Sequence, residues 1–126
     1  MSHGNWYWHE LATTDTDAAK AFYTEMFGWE WQGMDMGEMG MYHVIMHGGE
    51  PHGGVMDMPE EPKKQGVPPH WMTYIQVDDV DASTAKAKTH GGNILVEPFD
   101  IPNVGRMSVI QDPQGAVFSI MTPASE

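Results

Sequence analysis

Two stretches decide the fold: residues 15–28, DTDAAKAFYTEMFG, and residues 79–92, DVDASTAKAKTHGG. Each opens on acidic residues, Asp15 and Asp17 in one and Asp79 and Asp81 in the other, and each closes on glycine, Gly28 or Gly91-Gly92. Aspartate accepts hydrogen bonds from the free N–H groups of a first helical turn and complements the positive end of the helix dipole; glycine adopts the left-handed conformation that ends a helix. The spacing therefore predicts helices over Asp17 to Phe27 and Asp81 to His90, with Asp15 or Asp17 and Asp79 or Asp81 as caps. Asp15/Asp79, Asp17/Asp81, Ala18/Ala82, Ala21/Ala85 and Gly28/Gly92 all match at one offset, which marks an internal repeat.

The repeat extends into the flanks. Strand-like runs precede each helix at Asn5 to Thr13 and His70 to Val77. Three follow each: near Trp29 to Gly33, Met41 to His47 and Gly54 to Met58, then at Asn93 to Val96, Arg106 to Gln111 and Ala116 to Met121. Each half reads β-α-β-β-β, with module one at 5–58 and module two at 70–121. Pro59 to Pro69, with four prolines and Lys63-Lys64, reads as a linker that holds neither a central strand nor a helix. Asp112-Pro113-Gln114-Gly115 fits a β-turn joining two antiparallel strands.

The chain has 126 residues, room for one domain, and a net charge of -12 that repels phosphate and anionic lipid. Nucleic-acid and membrane partners are therefore excluded. Absence of cysteine removes disulfide scaffolds, thiolate zinc sites and cysteine nucleophiles. No basic leader followed by an apolar run opens the chain and no run of about 18 apolar residues occurs in it, so a cytoplasmic location is expected.

Trp8-His9-Glu10-Leu11, Thr14-Asp15, Phe22-Tyr23, Phe27-Gly28-Trp29, the run Tyr74 to Asp81, Gly91-Gly92 and Asp112-Pro113-Gln114-Gly115 together resemble the vicinal oxygen chelate superfamily, which includes glyoxalase I, bleomycin-resistance proteins and extradiol dioxygenases. The resemblance spans almost the entire chain. It implies an α+β fold of two βαβββ modules forming a pseudo-symmetric incomplete barrel with a concave ligand cleft, and a homodimer. It also implies, in metal-dependent members, one ligand on the first and one on the fourth strand of each module. Carried over by register, those positions fall on Trp8, Met72 and Ser119, with the remaining one at Asp57 or, after a three-residue slip, Gly54. These are poor ligands for a divalent ion, so no cofactor is expected.

Strand alternation groups the other candidates. With Trp8 facing the cleft, Trp6 and Glu10 join it while Tyr7, His9 and Leu11 turn towards the helix, His9 as a core imidazole. Met72 brings His70, Tyr74 and Gln76, leaving Trp71, Thr73, Ile75 and Val77 for the core. Ser119 brings Val117 and Met121, leaving Phe118 and Ile120 beneath the second helix. Glu10 either pairs with Arg106, the only arginine, or serves as the catalytic base or a cation anchor. Arg106 can equally hold a substrate carboxylate. His43 and His47 share a strand face but lie about 13 Å apart, too far to chelate one ion. The expectation is a small organic ligand in a cleft of Trp6, Trp8, Asp57, His70, Met72, Tyr74, Arg106 and Ser119, with the usual metal site absent. The alternative is a metal-dependent lyase, isomerase or dioxygenase with an atypical set such as Glu10, Asp57 and His70.

Overall fold

The computed structural model describes residues 3–37, 40–102 and 104–124, without the side chains of residues 61 and 62. In chain order the elements are β1 (Trp6–Thr13), α1 (Thr16–Phe27), β2 (Glu30–Asp35), β3 (Met41–His47), β4 (Glu50–Asp57), α2 (Glu60–Lys64), β5 (His70–Gln76), α3 (Val80–Thr89), β6 (Asn93–Ile101), β7 (Gly105–Gln111) and β8 (Val117–Pro123). The fold is α+β, with β-α-β-β-β occurring twice.

The helices form for the reasons their sequences carry. Asp15 and Asp79 are the N-caps, accepting from Ala18 N–H at 3.0 Å and Ala82 N–H at 3.1 Å. Asp17 and Asp81 occupy the first turns, beside the positive end of the dipole. Gly28, at φ 72°, takes the left-handed position that ends α1 and donates its N–H to the Thr24 carbonyl at 2.8 Å.

The chain divides into two compact units, one of residues His9–Trp71 and one joining the N-terminal residues through Trp8 to Met72 and beyond. In the His9–Trp71 unit the strand order is β2-β3-β4-β1, antiparallel except for the parallel pair β1/β4. In the other it is β6-β7-β8-β5, antiparallel except for the parallel pair β5/β8. The same connectivity thus appears in both. Asp112 fixes the β7–β8 turn, its carboxylate accepting from Gln114 N–H at 3.0 Å and Ala116 N–H at 2.9 Å.

Strand alternation sorts the side chains. Leu11, Ile45 and Val55 pack with Ala19 and Tyr23 of α1. Val77, Val80, Ile110 and Ile120 pack with Ala87 of α3 and with Phe118. On the opposite side of strands β5, β7 and β8, Tyr74, Met107 and Met121 pack with Trp8, Met72 and Val109. A fully buried aliphatic or methionine side chain contributes roughly 1.5–3 kcal/mol, so these clusters, and not helix propensity, hold the layers.

Three expectations need correction. The linker contains the short helix Glu60–Lys64 despite Pro62; a proline in the first turn removes only an N–H that has no intrahelical partner. Strand β6 runs past Pro98 to Ile101, with register breaks at Ile94/Val96 and Val96/Phe99. Proline is tolerated there because β6 is an outer strand. Strand β4 begins at Glu50 and carries Pro51 beside a bulge.

Candidate functional site

Ser119 is the informative residue of the Met72-onward unit. It is 0% exposed, lies beside Tyr74 on β5 and Val109 on β7, and its Oγ has no hydrogen-bond partner among the described residues. The neighbouring hydroxyls differ. Ser108 donates to the Val96 carbonyl at 2.7 Å and Thr122 to the Val77 carbonyl at 2.7 Å. A buried hydroxyl left unsatisfied costs about 1–3 kcal/mol, and this one lies in an apolar wall. That wall is Trp8, Met72, Tyr74, Met107, Val109 and Met121. Trp6, on the same side of β1 as Trp8, is 69% exposed.

In the His9–Trp71 unit, Glu10 lies opposite Gly54 on the parallel pair β1/β4, just as Tyr74 lies opposite Ser119 on β5/β8. The repeat equates Glu10 with Tyr74, so the register places the fourth-strand position on Gly54 and corrects the assignment to Asp57. Tyr42 covers that glycine, its phenol occupying the space a side chain would need. Asp57 follows Val55 by two residues and shares the α1 side of the sheet, where its charge reaches His43. His70 also lies on the α1 side, donating from Nδ1 to the Pro68 carbonyl at 2.9 Å and lining a cavity with Leu11, Thr13 and Phe22. Glu10, Asp57 and His70 therefore do not converge. His9, expected as a core imidazole, is exposed.

Arg106 has a different task from either one expected of it. Its Nε and Nη2 form a bidentate pair with Asp81 at 2.8 and 3.1 Å, and its Nη1 donates to Asp100 at 3.1 Å. Hydrogen bonding to Arg106 holds the Asp81 carboxyl below the ordinary carboxylate range, and the same bonds raise the arginine further. The guanidinium thus braces the start of α3 to β6 and β7.

Trp8, Met72 and Ser119 in one unit offer an indole, a thioether and a hydroxyl, and Gly54 in the other offers no side chain; none of these is an ordinary ligand for a divalent ion. Within each unit, among the described residues, no three His, Asp or Glu side chains gather to hold one.

On the α1 side, Lys20 Nζ donates to His43 Nδ1 at 3.3 Å, and Asp17 lies 3.9 Å from the same ammonium. Burial first, and the Lys20 charge second, hold His43 below the ordinary imidazole value of 6.5, against smaller opposing effects of Asp17 and Asp57. With the folded-state value depressed, the unfolded chain takes up the proton first. Stability from this group is complete above about pH 6.5 and falls as pH drops from there through the lower folded value. Urea midpoints should therefore decline as pH falls from about 6.5 to 5, and His43→Gln should flatten that part of the profile. An unchanged slope in the variant would remove His43 as the cause.

Alternation along β1 and β5 did not reveal a cavity of about 370 Å³ on the α1 side, lined by His9, Trp29, Ile45, His52, Gly53 and Trp71. The available signal was the density of Trp and Phe around Gly28.

The family model described as Glyoxalase/Bleomycin resistance protein/Dioxygenase superfamily matches residues 7–120. CFP32 of Mycobacterium tuberculosis, whose name marks it provisionally as a glyoxylase, is 44% identical over 123 residues, covering 98% of this chain and 46% of that protein. The anthracycline biosynthesis protein DnrV of Streptomyces peucetius is 32% identical over 123 residues, covering 90% and 45%. The chain spans about half the length of these curated relatives. A Streptomyces coelicolor methylmalonyl-CoA epimerase variant in complex with 2-nitronate-propionyl-CoA shares the fold at TM-score 0.70 and 20% identity, covering 98% of this chain and all of that one. Among the described residues no helix is long and apolar enough to cross a membrane.

Proposed function

Because the chain belongs to the Glyoxalase/Bleomycin resistance protein/Dioxygenase superfamily, we propose that it binds a small organic ligand, without a divalent ion, against the Trp8–Met72–Tyr74–Ser119 face. The carrying observation is the buried, unpartnered Ser119 hydroxyl. It donates to a carbonyl or similar oxygen of the ligand, which gains a hydrogen bond in surroundings where water does not compete. Met72, Met107 and Met121 supply the adaptable part of the wall, since an unbranched thioether repacks at little cost. Trp8 and Tyr74 supply flat apolar surface, and Trp6 extends it along β1. Separately, within the His9–Trp71 unit, we propose Glu10, opposite the covered Gly54, as a proton acceptor or an anchor for a cationic group of its own unit.

The epimerase of the same fold is solved with an acyl-CoA analogue, and a relative is named for anthracycline biosynthesis. Both names are consistent with an organic ligand that carries a carbonyl group. The proposal includes a homodimer, which sedimentation would report, and a cytoplasmic location.

Ser119→Ala tests the reading. Removing a hydroxyl that has no partner should leave the urea midpoint unchanged or slightly raised, because the desolvated group goes with it. Binding of uncharged short acyl thioesters or aromatic ketones, followed by quenching of tryptophan emission, should weaken at least tenfold. Equal binding by the variant and the parent would reject the Ser119 face.

A further inference from the structure

We propose a second ligand site, separate from the Ser119 face, on the α1 side of the His9–Trp71 unit: an aromatic corner that takes a small methylated ammonium cation. Trp29 and Trp71 line the 370 Å³ cavity and stand nearly perpendicular, with ring centroids 6.4 Å apart and planes at 84°. The cation sits on the ring faces that Trp29 and Trp71 leave uncovered toward the cavity, the way aromatic cages hold quaternary ammonium groups.

The corner is built in advance. Trp71 Nε1 donates to the Tyr23 hydroxyl at 3.3 Å, and Tyr23 stacks on Trp29 at 5.6 Å and 16°. The Thr24 hydroxyl donates to the Trp29 carbonyl at 3.2 Å and accepts from Trp31 Nε1 at 2.7 Å, which fixes the chain leaving α1. Rings held this way lose little freedom when a ligand arrives. Gly53 and Ile45 complete the lining, and Trp71 remains 43% exposed.

Charge selects the occupant. Among the described residues the cavity lining holds the imidazoles of His9 and His52 and no lysine, arginine, aspartate or glutamate, so the charge that selects the occupant is that of the surrounding surface. Residues 9–71 carry eleven Asp and Glu against Lys20, Lys63 and Lys64, within a chain of net charge -12. Such a surface concentrates cations and repels anions. A neutral apolar molecule would gain from burial alone, a difference the test exploits.

Choline and its uncharged carbon isostere 3,3-dimethyl-1-butanol have nearly the same shape. Each is titrated into the full chain while the indole N–H signals of Trp29 and Trp71 are followed by NMR. Choline should shift both signals saturably and bind at least tenfold tighter than the isostere. Trp71→Leu should abolish the effect and Trp71→Phe should weaken it while keeping part. Equal or tighter binding of the isostere would make the corner a neutral apolar pocket and overturn the proposal. So would an unshifted Trp29 signal, or shifts that follow protein dilution in place of choline, the mark of a second copy covering this face. Because Ser119→Ala should leave choline binding intact, failure here is distinguishable from failure of the Ser119 face.

Discussion

Gly53→Ala is expected to lower the stability of the chain by about 3 kcal/mol, a large part of the 5–15 kcal/mol that a domain possesses. Gly53 lies opposite His9 on the parallel pair β1/β4. A Cβ built there meets the His9 carbonyl oxygen far inside van der Waals contact, with Ile45 Cδ1 behind it at 3.5 Å. The obstacle is backbone, so relief requires displacing β1 and breaking the register that carries Leu11 into the core. Gly54→Ala is the control. Its Cβ meets the phenol of Tyr42, a side chain that can swing away about its own bonds, so the cost should be smaller. Urea denaturation of both variants should give Gly53→Ala the lower midpoint. The reverse order would mean that β1 and β4 pair in a different register.

Most of the fold was legible because its signals are local. A cap aspartate and a stop glycine act within a few residues of themselves, so Asp15, Asp79 and Gly28 fall where their chemistry puts them. Period-2 alternation placed Phe118 and Ile120 under α3 and Met121 on the other side. Proline misled where it was read as an absolute stop. Pro62 lies in the first turn of the helix Glu60–Lys64, where the missing N–H deprives nothing of a partner.

The site was less legible because pairing register cannot be read from one strand. The slip that separates Asp57 from Gly54 depends on which residue of β4 opposes Glu10, a fact of the β1/β4 ladder. Arg106 was open to several partners in sequence, and its choice of Asp81 and Asp100 depends on α3 crossing over β6 and β7. The Trp29–Trp71 corner joins residues 42 positions apart. Such a juxtaposition leaves only a compositional trace, the concentration of aromatic residues on either side of Gly28.

Adjacent residues of β8 should respond in opposite ways to the same substitution. Ile120 is 3% exposed and packs with Val77, Val80 and Ile110, while Ser119 faces Tyr74 and Val109. Ile120→Ala removes three buried carbons beneath α3 and leaves a cavity that the surrounding strands can only partly close. Its cost is expected to be about 3–4 kcal/mol by urea denaturation. Ile120→Val, one carbon smaller than the parent, should cost about 1 kcal/mol. Ser119→Ala deletes no packed carbon and should be nearly neutral. The contrast follows from side-chain direction alone, because the two residues share a strand, a burial class and a neighbourhood in sequence. A strand shifted by one residue would reverse it, making Ile120 tolerant and Ser119 critical for folding, and would at the same time remove the polar handle from the face proposed to bind ligand.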